Sequence, residues 1–177
     1  MRSIAKRRHS SRELHLVDVE NLLGSGRITA AGVSALRETF TRIAGPSIGA
    51  QDDVHQIIAT SSSVTVFAAA EGWPGAKVAF QRGEDGADHA LLTAGEFCPE
   101  RRYARVVIGS GDHAFAPYAA RLQALGVSVT VLAREGSISA ALRLAVRDIR
   151  VVPDLHWRPV HPSVRPMVVA PAPTLTR

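Results

Sequence analysis

The chain has 177 residues, 46% hydrophobic and 21% charged, a balance that excludes a disordered polypeptide and suits one domain with a real core. Its net charge is +5, but Arg2, Lys6, Arg7, Arg8 and Arg12 hold the whole excess: without them 16 basic residues face 16 acidic ones. No apolar run reaches the roughly 18 residues that span a bilayer, and the basic N-terminus lacks the apolar stretch of a secretion signal.

The single cysteine, Cys98, has no partner for an internal disulfide. A soluble cytoplasmic protein is the expectation, with no membrane contact. Residues 1–13 read as a basic flexible arm able to neutralise phosphates, or to act simply as a solvated terminus.

Residues 14–18 form an apolar run ending at Asp18, the pattern of a short buried strand. Gly24 and Gly26 mark a loop. Thr29 is then placed to cap a helix whose apolar residues Val33, Leu36, Phe40 and Ile43 recur at helical spacing, and Gly45-Pro46 stops it. Residues 51–60 suggest a short second helix, with Asp52 and Asp53 in its first turn. The β-branched segment Val64–Ala68 suggests the second strand, and 77–81 the third. A loop at 83–86 leads into a helix from Ala87 to about Glu96. Residues 105–108 suggest a fourth strand. A helix carrying Phe115, Tyr118, Leu122 and Leu125 ends at Gly126, and 127–132 make a fifth strand. Ser137 is placed to cap a last helix. From Pro153 onward periodicity is lost, and six of the ten prolines lie there, so 153–177 reads as an extended tail. Alternating strands and helices predict an α/β domain over 14–152, with a mainly parallel sheet of about five strands.

Ligands of such sheets bind outside the carboxyl ends of the strands. Asp18 sits at one such end, Asp88 opens the helix after the third strand, and Asp112 follows Gly109-Ser110-Gly111 after the fourth. Carboxylates gathered in one pocket repel, and a hard divalent cation relieves the repulsion. Asn21 is near enough to orient Asp18, and the Ser110 hydroxyl is suited to a phosphate or a bound water. Asp85 reads as a helix cap, His89 as an ordinary helix residue. Glu20 belongs to the same loop, but its side is not legible.

Three stretches, VDVENL at 17–22, GADHALL at 86–92 and GSGDHAFAPYAARLQALGVSVTVLA at 109–133, resemble the NYN family of the PIN-like nuclease superfamily. The likeness covers roughly residues 14–148. It implies a three-layer α/β/α sandwich and a metal-dependent ribonuclease using Mg²⁺ or Mn²⁺. It also implies metal-ligand roles for Asp18, Asp88 and Asp112, with Asn21 and Ser110 in support. One position departs from the pattern: the family usually has a second acid two residues after the third aspartate, where this chain has Ala114. His113 is a poor substitute, because Mg²⁺ prefers oxygen ligands.

The leading expectation is metal-assisted hydrolysis of RNA, with Arg82, Arg101 or Arg102 steering the backbone. A catalytically silent RNA-binding or scaffolding domain is the alternative. A nucleotide-binding reading of Gly24-Ser25-Gly26 fails for want of a third glycine at proper spacing and of a clear acid after the second strand, Glu71 being the nearest. Apolar residues on the first or last helix are candidates for a homodimer face, and the tail for docking a protein partner or inhibitor.

Overall fold

The computed structural model describes residues 12–24, 27–46, 53–96 and 99–155. The strands are β1 (Glu13–Asp18), β2 (Val54–Thr60), β3 (Lys77–Phe80), β4 (Arg105–Gly109), β5 (Ser128–Arg134) and β6 (Asp148–Val152). The helices are α1 (Val19–Leu23), α2 (Ala30–Ala44), α3 (Ser63–Gly72), α4 (Gly86–Gly95), α5 (Pro99–Arg102), α6 (Phe115–Ala124) and α7 (Ala140–Ala145). All strand pairs are parallel, and the sheet order is β3-β2-β1-β4-β5-β6. The chain builds outward from β1 to β3, then crosses back to start β4 on the other side of β1. The order therefore reverses between β1 and β4, where an open parallel sheet leaves a crevice at its carboxyl edge.

Alternation along the strands gives the sheet two apolar faces. Val17, Ile58, Val107, Leu132 and Val152 pack under α1, α2 and α3, against Leu22, Val33, Leu36, Phe40 and Trp73. Leu14, Leu16, Val106, Ile108 and Val131 pack under α4, α6 and α7, against Leu91, Phe115, Leu122 and Leu142. The result is the expected three-layer sandwich, with six strands rather than five. Phe40 and Trp73 meet edge to face at 5.6 Å, worth about 1 kcal/mol beyond their burial. Thr29 caps α2 as expected, its Oγ1 accepting from Gly32 N at 3.2 Å.

Four expectations are corrected. Residues 54–60 are β2, not a helix. Val54, Ile57 and Ile58 fall at helical spacing because polar side chains sit between them, and those side chains are satisfied inside the fold. His55 Nδ1 lies 2.7 Å from the Tyr103 hydroxyl, and Gln56 Oε1 accepts from Trp73 Nε1 at 3.0 Å. Val64–Ala68 belongs to α3, not to a strand: tertiary packing of Ala69 and the following Trp73 outweighs β-propensity there. Ser139, not Ser137, caps α7, its Oγ accepting from Leu142 N at 3.3 Å; the Ser137 hydroxyl donates to Arg134 O. β6 was not anticipated, because Asp148 and Arg150 interrupt its apolar pattern by pairing with each other at 3.0 Å.

The arm through Ser11, Ser25-Gly26, Asp52, Cys98 and the tail from His156 lie outside the described residues. Among the described residues no helix is long and apolar enough to cross a membrane.

At the amino end of the strands, the α2 side of the sheet is polar instead of apolar. Arg105 Nη1 donates to Glu13 Oε2 at 3.4 Å, and its Nη2 donates to the carbonyl of Ala44 at 2.6 Å. His15 Nε2 lies 3.2 Å from the same Glu13 oxygen. Thr130 donates to Asp148 at 2.8 Å, and Arg150 donates to Asp148 and to the carbonyls of Ile43 and Ala44. The two arginines thus close the carboxyl end of α2, where free carbonyls attract cations.

Candidate active site

Asp18 ends β1 and is the N-cap of α1, with Oδ1 accepting from the backbone of Asn21 at 2.9 Å. It is buried. Burial raises its pKa to about 6; the Asn21 N–H works against that rise, and the charge of Glu20 adds to it. Asp88 lies in the first turn of α4 and is also buried. Burial raises its pKa to about 7, helped by the negative charges of Asp18 and then Asp112. The interaction between the two carboxyl groups lowers the pKa of Asp18 and raises that of Asp88, so it favours the charge on Asp18 and the proton on Asp88. Oδ1 of Asp88 is buried without a hydrogen-bond partner.

Asp112 stands at the end of β4, across the crevice from β1. Its Oδ1 accepts from Ala114 N at 2.8 Å and lies 3.0 Å from His113 Nδ1. His113 is otherwise mostly exposed and engages this carboxylate from outside. Ala114 therefore adjoins Asp112 through its own N–H.

Asn21 bonds the Asp18 carboxylate as expected, but through its backbone N–H, and the side chains of Asn21 and Ser110 have a further role. The Asn21 side chain does not reach Asp18; its Oδ1 accepts from Gly111 N at 3.0 Å, tying α1 to the turn after β4. Ser110 is fully buried, and its Oγ accepts from Asp112 N at 3.2 Å. Both hold the Asp112 turn in place. The glycines beside Ser110 are required by close approach. A Cβ on Gly109 would come within 2.8 Å of the Phe40 ring, and one on Gly111 within 2.4 Å of the Ser137 carbonyl oxygen. Asp85 occupies the N-cap position of α4, but its side chain makes no capping bond.

At this edge the orientation of Glu20 is not legible in the sequence, and Arg134 gives no signal. Glu20 turns away from Asp18 toward the end of β2, where it accepts from Ser61 N at 3.0 Å, Ser61 Oγ at 2.5 Å, Ser62 N at 3.3 Å and the hydroxyls of Thr60 and Thr65. Those donors outweigh its desolvation and lower its pKa. The hydroxyl run Thr60-Ser61-Ser62 was the available signal, hidden because β2 had been read as a helix. Arg134, ending β5, donates from Nε to the carbonyl of Asn21 at 2.9 Å and lies against Gly24, whose φ of 75° suits glycine. Arg101 and Arg102 are in α5, before β4, at the edge opposite the acids, so they cannot steer a substrate there as expected; Arg102 covers the Tyr103 ring at 5.3 Å. Arg82 follows β3 at the same edge as the acids and is exposed.

Among the described residues, no three His, Cys, Asp or Glu side chains stand close enough to enclose an ion. The donors nevertheless fit a hard cation that keeps much of its water. Mg²⁺ is commonly held by one or two carboxylates plus waters. Here the charge of buried Asp18 raises the cost of ionising buried Asp88, one buried oxygen is unpartnered, and a third carboxylate lies near enough to raise the pKa of Asp88. The glycine-rich nucleotide reading finds no support at this crevice: the N-cap of α1, where a pyrophosphate would need backbone N–H groups, is filled by the carboxylate of Asp18.

The fold is similar to that of a Vibrio parahaemolyticus protein of unknown function, known from a crystal structure. It is 18% identical, with a TM-score of 0.54, and the match covers 86% of this chain and 96% of that one. At that identity the likeness speaks for the fold alone. No curated protein matches the sequence. The family model of the NYN domain matches residues 16–152, a span that runs from β1 through β6 and takes in all three acids. The chain therefore belongs to the NYN domain family, whose fold is nuclease-like and whose PIN-like relatives generally use divalent metal ions.

Proposed function

We propose that this protein is a metal-dependent ribonuclease that hydrolyses RNA phosphodiester bonds, using Mg²⁺ or Mn²⁺ in the cytoplasm. The observation that carries the reading is the Asp18–Asp88 pair, two buried acids whose charges oppose each other while Oδ1 of Asp88 has no partner. Outside a cation site that arrangement is costly and serves no structural purpose.

Asp18 and Asp88 would hold the cation, Asp88 releasing its proton as it binds, with Asp112 completing the set directly or through water. When bound, the cation supplies positive charge that activates a water and offsets charge building on the scissile phosphate. The remaining work belongs to the chain. Asn21, Ser110 and Gly111 fix the two strand ends relative to each other, so the acids keep their separation through turnover. His113 holds the Asp112 carboxylate from the solvent side. Arg82 is the exposed cation at the site's edge available to an RNA phosphate, countering the repulsion that an acidic pocket exerts on its substrate.

Ala114 supports the second reading, a silent RNA-binding or scaffolding domain, because a fourth carboxylate is missing beside Asp112. The decisive measurement is cleavage of labelled single-stranded and structured RNA with Mn²⁺, Mg²⁺ or EDTA, beside Asp112→Asn. Metal-dependent cleavage abolished by the substitution supports the ribonuclease. Folded protein that binds RNA but cuts it with neither metal supports the silent domain.

A further inference from the structure

We infer that the cavity at the amino edge of the sheet, between the starts of β2 and β3, the end of α4 and α5, is a binding site for a phosphate monoester. It lies at the opposite edge from the acids and does not depend on the ribonuclease reading.

The cavity measures about 360 Å³, within the range of pockets that enclose small molecules. Its walls follow from strand register and helix packing. β2 and β3 pair in parallel with Ile57 opposite Lys77, so His55, Ile57 and Lys77 point to one face of the sheet. Ile57 and Ala79 on that face pack against the core under α4 and α6. At the amino edge polar residues take over, and Ala94, Arg102 and Tyr103 close the cavity from the helix side. Tyr103 is firmly held. It is buried, its N–H donates to the Pro99 carbonyl at 2.8 Å, and its ring meets His55 edge to face at 5.5 Å. The Arg102 guanidinium rests over the same ring at 5.3 Å.

Charge sets this cavity apart from the rest of the edge. Arg12, Arg105 and Arg150 are each matched by an acid, Asp53, Glu13 and Asp148. Lys77 and Arg102 are exposed and, among the described residues, neither forms a salt bridge. No acid of the described residues lines the cavity they share. Protection of the edge strand β3 from unwanted pairing would account for Lys77. It accounts neither for Arg102 nor for the hollow between them.

A phosphate monoester fits this chemistry. Near neutral pH it carries close to two negative charges and three acceptor oxygens. Arg102 can grip two oxygens as a fork, and Lys77 supplies the second positive charge. When the Tyr103 hydroxyl donates to His55 Nδ1 across 2.7 Å, the ring proton sits on Nε2 and is available to the third oxygen. The rest of the ligand lies against Ile57 and Ala94. A phosphodiester carries one charge per phosphate and would leave one of the two cations unmatched.

The test titrates the full chain, without metal and at physiological salt, with glycerol 3-phosphate, with glycerol, and with a short oligoribonucleotide bearing a 5′-phosphate or a 5′-hydroxyl. Glycerol 3-phosphate should bind saturably by calorimetry and shift the backbone NMR signals of Lys77, Ala94 and Tyr103 but not those of Asp18 or Asp112. Glycerol should do neither. Lys77→Gln/Arg102→Gln should weaken binding by about tenfold or more, while Arg143→Gln, exposed on α7, should leave it unchanged. Both altered side chains are exposed, so the double variant keeps its fold, which its NMR spectrum checks. Tighter binding of the 5′-phosphorylated strand than of glycerol 3-phosphate, through the same residues, identifies the ligand as an RNA terminus; the reverse order identifies a free small molecule. The inference is overturned if neither phosphate-bearing probe saturates or if wild type and double variant bind alike. It is also overturned if the 5′-hydroxyl strand binds through these residues as well as the 5′-phosphorylated one. None of these outcomes touches cleavage at the acids, so the ribonuclease reading stands or falls separately.

Discussion

At one end of β1, Glu13 faces Arg105 at 3.4 Å and His15 at 3.2 Å; at the other end, Asp18 faces another acid, Asp88. Both ends bury charge, which is expensive unless it is compensated. The amino end is compensated in full view: Arg105 and Arg150 each reach a carboxylate and a carbonyl at the end of α2. The carboxyl end leaves like charges together and one oxygen without a partner. The contrast separates a polar network whose charges are paired from one whose like charges are left together. What distinguishes them is whether the charge is balanced, not how much of it is buried.

That comparison can be broken at either end. The largest expected effect is at the amino end, where Arg105→Met removes the buried guanidinium shared by Glu13 and the Ala44 carbonyl and should cost about 3–5 kcal/mol in urea unfolding. Next, Asp18→Asn or Asp112→Asn should reduce metal-dependent RNA cleavage by at least about a hundredfold with the unfolding midpoint nearly unchanged; comparable cleavage would remove these acids from the chemistry. Ala114→Asp should raise cleavage about tenfold if the missing carboxylate limits activity, and no gain in an RNA-binding protein would favour the silent domain. The smallest effect concerns pH. Asp88 keeps its proton up to about pH 7 when folded but loses it near the ordinary value of 3.8 when unfolded. The folded state therefore binds more protons in that window, and its metal-free stability should fall as pH rises from 4 to 7. Asp88→Asn should flatten this fall and melt about 2–4 °C higher at pH 8, an advantage that vanishes at pH 4. A wild-type melting temperature that rises across the same range would contradict it.

How far the sequence could be read depended on whether polar residues were exposed. β1, α2, β4, α6 and β5 followed their patterns because apolar residues make up most of what they turn to the cores, despite buried Glu13, His15, Arg105 and Thr130. The three acids were legible for a related reason: each ends or follows an easily recognised element. β2 was misread because Gln56 and His55 are held inside by Trp73 and Tyr103, partners 17 and 48 residues away in the chain. β6 was missed because Asp148 and Arg150 complete the amino-end network. α3 looked like a strand because Val64 and Phe67 are apolar yet face solvent, which erases the amphipathic signal of a helix. The side-chain role of Asn21 depends on a contact across the crevice, with Gly111 lying 90 residues away, and no local pattern encodes it.

The placement of β1 at the centre of the sheet has a consequence for the order in which the molecule is built. Its neighbours are β2 and β4, and the Arg105–Glu13 contact closes a loop of 92 residues. Parallel pairing over such a separation is intrinsically slow, because the loop must close before the contacts reward it. During synthesis β1 keeps one hydrogen-bonding edge bare until β4 emerges, roughly 5–20 seconds after Asp18 at ordinary elongation rates. Asp18, made first, is then fixed against Asp112 only when the opposite half of the sheet arrives. A chain stopped before β4 would carry two of the acids, an incomplete crevice and an open strand edge, a species prone to aggregate.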